Sequence, residues 1–200
     1  TMARMFAEYL ANLQLQVGIL ESPYSDASWY DLINGDAYTR EDWVSWHESI
    51  QEDQEIRKGM SINVEGVTYI AQNPAQPLKK WDLMKSAHLV GFARQIPILI
   101  YDISSGVTEP NEKLILRQAS HIFLTTMFDP ARIHGSQKEI VTYFHEHSFQ
   151  EKVTLLCNHS NEYLEKRFSK SLKEAYNDTE DILYLPHLEE VKIALMEGKS

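Results

Sequence analysis

Ile96 to Val107 reads IPILIYDISSGV, and the fold class is decided there. Pro97 opens a strongly apolar run, ILIY, that ends on Asp102, and the turn Asp102-Ile103-Ser104-Ser105-Gly106 leads toward a helical stretch around Asn111 to Ala119. A short, continuous apolar run bounded by turn residues is the pattern of a strand buried on both faces, and such strands belong to parallel sheets covered by helices.

The same alternation runs outward in both directions. Upstream, Met2, Met5, Phe6, Tyr9, Leu10 and Leu13 recur at helical steps and predict a helix that buries that stripe, followed by the strand LQVGIL over Leu15 to Leu20. A polar stretch with Trp29, Tyr30, Trp43 and Trp46 follows, in which Asp42 or Thr39 is the expected cap of a short helix. VEGVTYIA, Val64 to Ala71, reads as one strand with a turn or bulge at Gly66, and Leu78 to Arg94 as a helix with Trp81, Met84, Leu89 and Phe92 near one face. Downstream come the strand HIFLTT, a helix opened by Asp129-Pro130 and running to about Phe144, and the strand VTLLC with Asn158. A helix from Glu162 to about Tyr176, the strand ILYL with Pro186, and a last helix from Leu188 to Glu197 complete the chain. Repeated strand-helix-strand units predict a three-layer α/β fold, a mostly parallel sheet with helices on both faces, as a single domain over 1–200.

Composition narrows the function. The 200 residues are 43% hydrophobic and 24% charged, which excludes disorder and a collagen-like chain. No apolar run approaches the ~20 residues that cross a bilayer, and TMARMFAEYL lacks the basic start and apolar run of a signal peptide. A soluble protein is expected, and the single Cys157 fits a cytoplasmic one. A net charge of -10 opposes binding to nucleic acid or anionic lipid. Lys79-Lys80 and the Lys166-Arg167-Lys170-Lys173 group are short, the latter interleaved with Glu165 and Glu174, and read as solvated faces.

In a parallel sheet, ligands bind beyond the carboxyl ends of the strands, so chemistry is sought at Glu21, Asp102, Asp129, Asn158 and Pro186. A strand-end Asp followed four residues later by Gly suits a nucleotide triphosphatase: the carboxylate holds a water of the magnesium shell, and the unhindered Gly amide approaches the terminal phosphate. D-x-x-x-G alone has little specificity, because many strand-to-helix turns contain it.

The order of motifs resembles the MinD/ParA family of deviant P-loop ATPases over nearly the whole chain. Thr1-Met2-Ala3 and its helix are similar to the start of that family's phosphate-loop helix, and QVGILES to its second strand and acidic turn. IPILIYDISSGV resembles the strand and switch turn Asp-x-Pro-x-Gly, and LRQASHIFLTTMFDPARIHG the segment where Thr-Thr and Asp-Pro follow one another. VTLLCNHSN is similar to the strand whose Asn contacts adenine, and ILYLPHLEEVKIALMEGKS to the closing segment. The resemblance implies ATP and Mg2+ as ligands, with Asp102 orienting magnesium-bound water and Gly106 facing the γ-phosphate. It further implies Asn158 on adenine, Pro186 lining the base pocket, and Thr1 just after the magnesium-binding Ser or Thr. A nucleotide-switched homodimer presenting a surface to a protein partner is implied too, as a spatial or assembly regulator of the kind found beside pilus or secretion machinery.

Two departures from the family pattern carry expectations. Glu21-Ser22-Pro23 stands where Asp-x-Asp is usual, so the second carboxylate that would orient the attacking water is missing, which puts hydrolysis in question while leaving binding. G-x-x-x-x-G-K-[ST] occurs nowhere in these residues, nor does the strand that precedes it. Losing a central strand strands buried backbone groups at about 1 to 3 kcal/mol each against a net stability of about 5 to 15 kcal/mol. The domain is therefore expected to be incomplete at its N-terminus, with a preceding segment supplying strand and loop. The competing expectation is an interaction or scaffold domain that keeps the fold and has lost the nucleotide; a phosphotransfer receiver is a third, lacking an evident acidic triad.

Other constellations favour bland readings. His145-Glu146-His147 with His134 lacks H-E-x-x-H spacing, Cys157 with His159 lies in an apolar run that suits an inert buried thiol, and Ser104-Ser105 lack a G-x-S-x-G frame. Asp178 and Glu180-Asp181 read as a solvated loop; the tryptophans read as core, with a partner groove at Trp43 and Trp46 as the alternative.

Overall fold

Val17–Glu21, buried at every position, forms an interior strand, β1, of a four-stranded sheet. The computed structural model describes residues 2–57, 59–76, 80–103, 110–127, 138–147, 149–176 and 181–186, which group into two units, 1–115 and 116–200. In the first unit a hairpin of β2 (Ile62–Val64) and β3 (Val67–Ile70) lies on one side of β1, and β4 (Ile98–Asp102) on the other. β3, β1 and β4 are parallel, and β2 runs antiparallel to β3. The single strand expected over Val64 to Ala71 is thus a hairpin. Glu65 and Gly66 both take positive φ, 51° and 82°, the geometry of the two-residue turn whose twist matches the flanking strands.

Side chains alternate across β1 and create two layers of core. Val17 and Ile19 join Val67, Tyr69 and Trp29 beneath helix α1 (Met2–Asn12). Leu20 joins Ile70 on the opposite face, against Ile50 of α3 (Trp46–Gln51) and Leu89, Val90 and Ala93 of α4 (Leu83–Ala93). Helices therefore cover both faces of a mostly parallel sheet, as the alternation implies. Gly18 sits where a Cβ would stand 2.6 Å from Ile96 Cδ1 and 3.1 Å from the Thr68 carbonyl oxygen. Gly18→Val is expected to lower stability by about 2 kcal/mol through overpacking, read as a lower urea midpoint; an unchanged midpoint would contradict this packing.

The buried face of α1 differs from the expected one. Ala7 is fully buried and Ala3, Leu10 and Ala11 pack beside it, whereas Met5, Phe6, Tyr9 and Leu13 are exposed. Alanines at steps of four let the helix backbone approach the sheet closely, which bulky side chains on that face would prevent. α3 is capped by Ser45, not by Asp42 or Thr39: Glu48 N–H donates to Ser45 Oγ at 3.1 Å, and Ser45 N–H to Glu48 Oε2 at 2.7 Å. This S-x-x-E capping box was readable in the sequence. α4 starts at Leu83 behind the Asp82 cap, later than the periodicity suggested; Trp81 is buried ahead of the helix, while Met84 is exposed. Trp29–Leu32 forms one further turn of helix, α2, and Pro110–Leu116 forms α5.

In the second unit β5 (Ile122–Met127), β6 (Val153–Ser160) and β7 (Ile182–Pro186) form a parallel sheet in that order. Helix α6 spans Lys138–Glu146, and α7 spans Glu162–Ala175 with Asn161 as its cap. Leu155 and Cys157 of β6 pack on Leu172 of α7 and on Tyr176, whose hydroxyl donates to Thr126 Oγ1 at 3.1 Å. The expected last helix over 188–197 and the Asp129-Pro130 helix start lie outside the described residues.

Candidate functional site

The carboxyl ends of β1, β3 and β4 meet at one edge of the first sheet, where Glu21 stands opposite Asp102. Glu21 is 2% exposed, and both oxygens of its carboxylate accept hydrogen bonds. Oε1 accepts from Ser28 N–H at 2.7 Å, Trp29 N–H at 3.1 Å and Ser28 Oγ at 3.1 Å; Oε2 accepts from Gln72 N–H at 2.8 Å. The carboxylate thus takes up the first orphan amides of α2, which Ser28 does not cap with its own side chain. Burial pushes the Glu21 carboxyl up from its ordinary range, and the hydrogen bonds from Gln72, Ser28 and Trp29 push back.

Around this carboxylate the neighbouring side chains are committed as well. Ser22 donates its hydroxyl proton to the buried carboxylate of Glu112 on α5 and accepts from Tyr24 N–H at 3.1 Å and Tyr101 OH at 3.2 Å. One donated and two accepted bonds exhaust a serine hydroxyl. Gln72 Nε2 closes the turn by donating to the carbonyls of Ser22 and Ser25, at 3.0 and 2.9 Å. His47 lies 3.0 Å by its Nε2 from the Glu21 carbonyl, so that nitrogen carries the proton. Burial pushes His47 down to about 4, with the carbonyls of Glu21 and Ala71 opposing, and the ring is neutral at physiological pH.

Asp102 differs from the other carboxylates here. Its Oδ2 accepts the indole N–H of Trp29 at 2.7 Å and its backbone carbonyl accepts Ser22 N–H at 3.0 Å, while Oδ1 has no partner among the described residues. The side chain is half-buried at the sheet edge. A carboxylate with one oxygen held and the other without a partner among the described residues suits a water-mediated contact to Mg2+, an ion that keeps several waters and takes few protein ligands. It does not make a closed metal cage: no cluster of three His, Cys, Asp or Glu that could hold an ion occurs among the described residues.

The second sheet presents its own carboxyl edge. Asn158 pairs with Met127 and is half-buried; Pro186 ends β7 opposite Ser160, where β6 shifts register between Cys157 and Ser160. Ser160 donates its hydroxyl to the Glu165 carboxylate, and Asn161 Oδ1 accepts Leu164 N–H at 2.9 Å, fixing the start of α7. Pro186 ends β7 at this edge, as strand-end reasoning placed it, but β6 runs on to Ser160, so Asn158 lies inside the strand and not just after it; Asp102 ends β4 in the other sheet. Thr1, Gly106 and Asp129 lie outside the described residues.

Several residues singled out earlier resolve as structure. Cys157 is fully buried and burial pushes its thiol up to about 11, which leaves it unreactive. Trp43 stacks on Tyr30 at 5.2 Å and Trp46 meets Phe92 edge-on at 5.4 Å, each as a core contact. Sequence reasoning placed Glu21 and Asp102 at strand ends but missed Trp29, His47, Gln72 and Glu112 as their partners. The only written signal was S-x-x-E at Ser45, which fixes α3 and with it His47.

No protein-family model matches the sequence, and no curated protein does. Solved structures do. The MinC:MinD cell division protein complex of Aquifex aeolicus matches with a TM-score of 0.74 at 10% identity, covering 98% of this chain and 79% of that one. A ParA family ATPase from Chlorobium tepidum TLS matches with a TM-score of 0.71 at 10% identity, over 99% of this chain and 85% of that one. A Borrelia burgdorferi B31 protein described as a plasmid partition protein, bound to AMPPNP, gives a TM-score of 0.70 at 14% identity, over 98% of this chain and 82% of that one. Over nearly its whole length this chain has the α/β fold of the MinD and ParA ATPases.

Proposed function

We propose that this chain is the nucleotide-binding body of a cytoplasmic regulatory ATPase that binds ATP with Mg2+ and is switched by it. The observation that carries the reading is Asp102: a strand-end carboxylate with one oxygen held by Trp29 and the other without a partner among the described residues, in a fold shared with an AMPPNP-bound protein. In this reading Asp102 orients a water of the magnesium shell, Gly106 faces the γ-phosphate, Asn158 bonds adenine, Pro186 lines the base pocket and Thr1 follows the magnesium-binding position. Bound Mg2+ would neutralise phosphate charge. A homodimer switched by nucleotide and a protein partner belong to the same reading, and the match to a complex of MinC with MinD supports the partner.

Binding is the better supported half. Glu21 is withdrawn from orienting an attacking water, since it is 2% exposed and both its oxygens already accept hydrogen bonds. Among the described residues β4 has a strand on one side only and carries the apolar run ILIY, an edge suited to pairing with a further strand. A preceding segment of the polypeptide supplies that strand and the phosphate loop in our reading. The burial of Glu21 and Glu112, both hydrogen-bonded within the protein, also favours a second reading, a scaffold that kept the fold without the nucleotide.

Titration of a fluorescent ATP analogue into the longest native chain containing these residues separates the two. Micromolar affinity that depends on magnesium is expected, with Asp102→Ala weakening it about tenfold, or about 1.4 kcal/mol, in a variant that still folds but melts lower because the buried Trp29 indole N–H loses its acceptor. Absence of binding up to millimolar concentration would favour the scaffold.

A further inference from the structure

A strand-end aspartate has two free side-chain torsions, so a carboxylate that must hold a particular water needs something to fix its rotamer. Trp29 is the neighbour that does this for Asp102. Its indole N–H reaches Asp102 Oδ2 at 2.7 Å, and the ring itself is held: it is 1% exposed and lies 5.5 Å from the Tyr69 ring. Its backbone N–H is tied to Glu21 Oε1, the residue that stands opposite Asp102 in the sheet.

From this geometry we infer that Trp29 is a positioning residue for Asp102, fixing the carboxylate so that Oδ1 is the oxygen presented to a magnesium-bound water. The inference rests on the reading of Asp102 given above. An indole suits the task by its charge. It donates one hydrogen bond and carries no positive charge, so it orients the carboxylate without repelling a cation, as Lys or Arg at the same place would. The connection also runs backward: Glu21 holds the start of α2, α2 holds Trp29, and Trp29 holds Asp102. The acidic residue at the family's second-carboxylate turn here acts on the metal position through a tryptophan.

Trp29→Phe keeps a ring in the core and removes the donor. In the longest native chain, titrated with N-methylanthraniloyl-ATP, this variant is expected to keep the magnesium-free affinity within about twofold while raising the magnesium concentration for half-maximal enhancement about fivefold. Combined with Asp102→Ala it should add nothing to the effect of Asp102→Ala alone, because the two act through one contact. Equal magnesium midpoints in wild type and Trp29→Phe would overturn the positioning role and leave the nucleotide reading standing. A wild-type chain with no magnesium-dependent binding would overturn both. Should Trp29→Phe fail to fold, the indole N–H resonance that moves in Asp102→Ala must also shift as magnesium is added to the wild-type nucleotide complex; a resonance that stays in place rejects the inference.

Discussion

Glu21→Ala is expected to lower the unfolding free energy by about 4 kcal/mol, measured by urea unfolding of the native chain. The substitution takes the acceptor from the N–H groups of Ser28, Trp29 and Gln72 at once, along with the Ser28 hydroxyl. A buried amide left without a partner costs about 1 to 3 kcal/mol, and water entering the vacated space returns part of that. Ser28 Oγ can rotate to a new acceptor, so it contributes least. Relief of a buried carboxylate, whose carboxyl burial pushes up, works in the opposite direction. Glu21→Gln should lose about half as much, because its amide oxygen still serves one side of the site while its NH2 meets a donor on the other. An alanine variant within about 1 kcal/mol of wild type would mean that the carboxylate does not organise α2. The same variant loosens the start of the helix that carries Trp29, so the loss of stability and the loss of the Asp102 contact should appear together.

Acidification is expected to destabilise the protein through His47. Burial holds its pKa at about 4, against an ordinary value of 6.5. Between those values the unfolded chain binds a proton that the folded chain refuses, so stability falls as pH falls. Above pH 6.5 the contribution is complete, and each unit of pH below it costs about 1.4 kcal/mol, for a total of about 3 kcal/mol near pH 4. Glu21 works with the opposite sign: burial pushes its folded carboxyl up, so its contribution falls as pH rises above the ordinary carboxyl range. The His47 share is therefore read by difference. His47→Gln keeps a donor for the Glu21 carbonyl and removes the titration, and its unfolding free energy should vary less between about pH 7 and pH 5 than that of wild type. Parallel curves for the two proteins would show that His47 is not held neutral.

Much of the sheet was written in the chain. VGIL of LQVGIL and VTLLC appear within β1 and β6 because a strand buried on both faces needs a continuous apolar run, whereas ILIY with Asp102 forms β4, which is half-buried at every position and not buried on both faces. Strand-end logic then placed Glu21, Asp102 and Pro186, while Asn158 lies two residues inside the end of β6. The errors came where two patterns fitted the same residues. α1 carries a bulky stripe and an alanine stripe at the same period, and periodicity cannot say which faces the sheet. Val64 to Ala71 contains a two-residue turn that also reads as a bulge in one strand.

Sequence alone determined the parallel α/β class, the order of the elements and which residues stand at strand ends, because those follow from local runs and periods. Tertiary structure alone decided what the strand-end groups do. Glu21 meets Gln72 across 51 residues of chain, Asp102 meets Trp29 across 73, and Ser22 meets Glu112 across 90. No local pattern links such pairs; they are set by strand register and by the need of every buried donor and acceptor for a partner. That need turned one strand-end carboxylate into the cap of a helix and left the other with an oxygen that has no partner among the described residues.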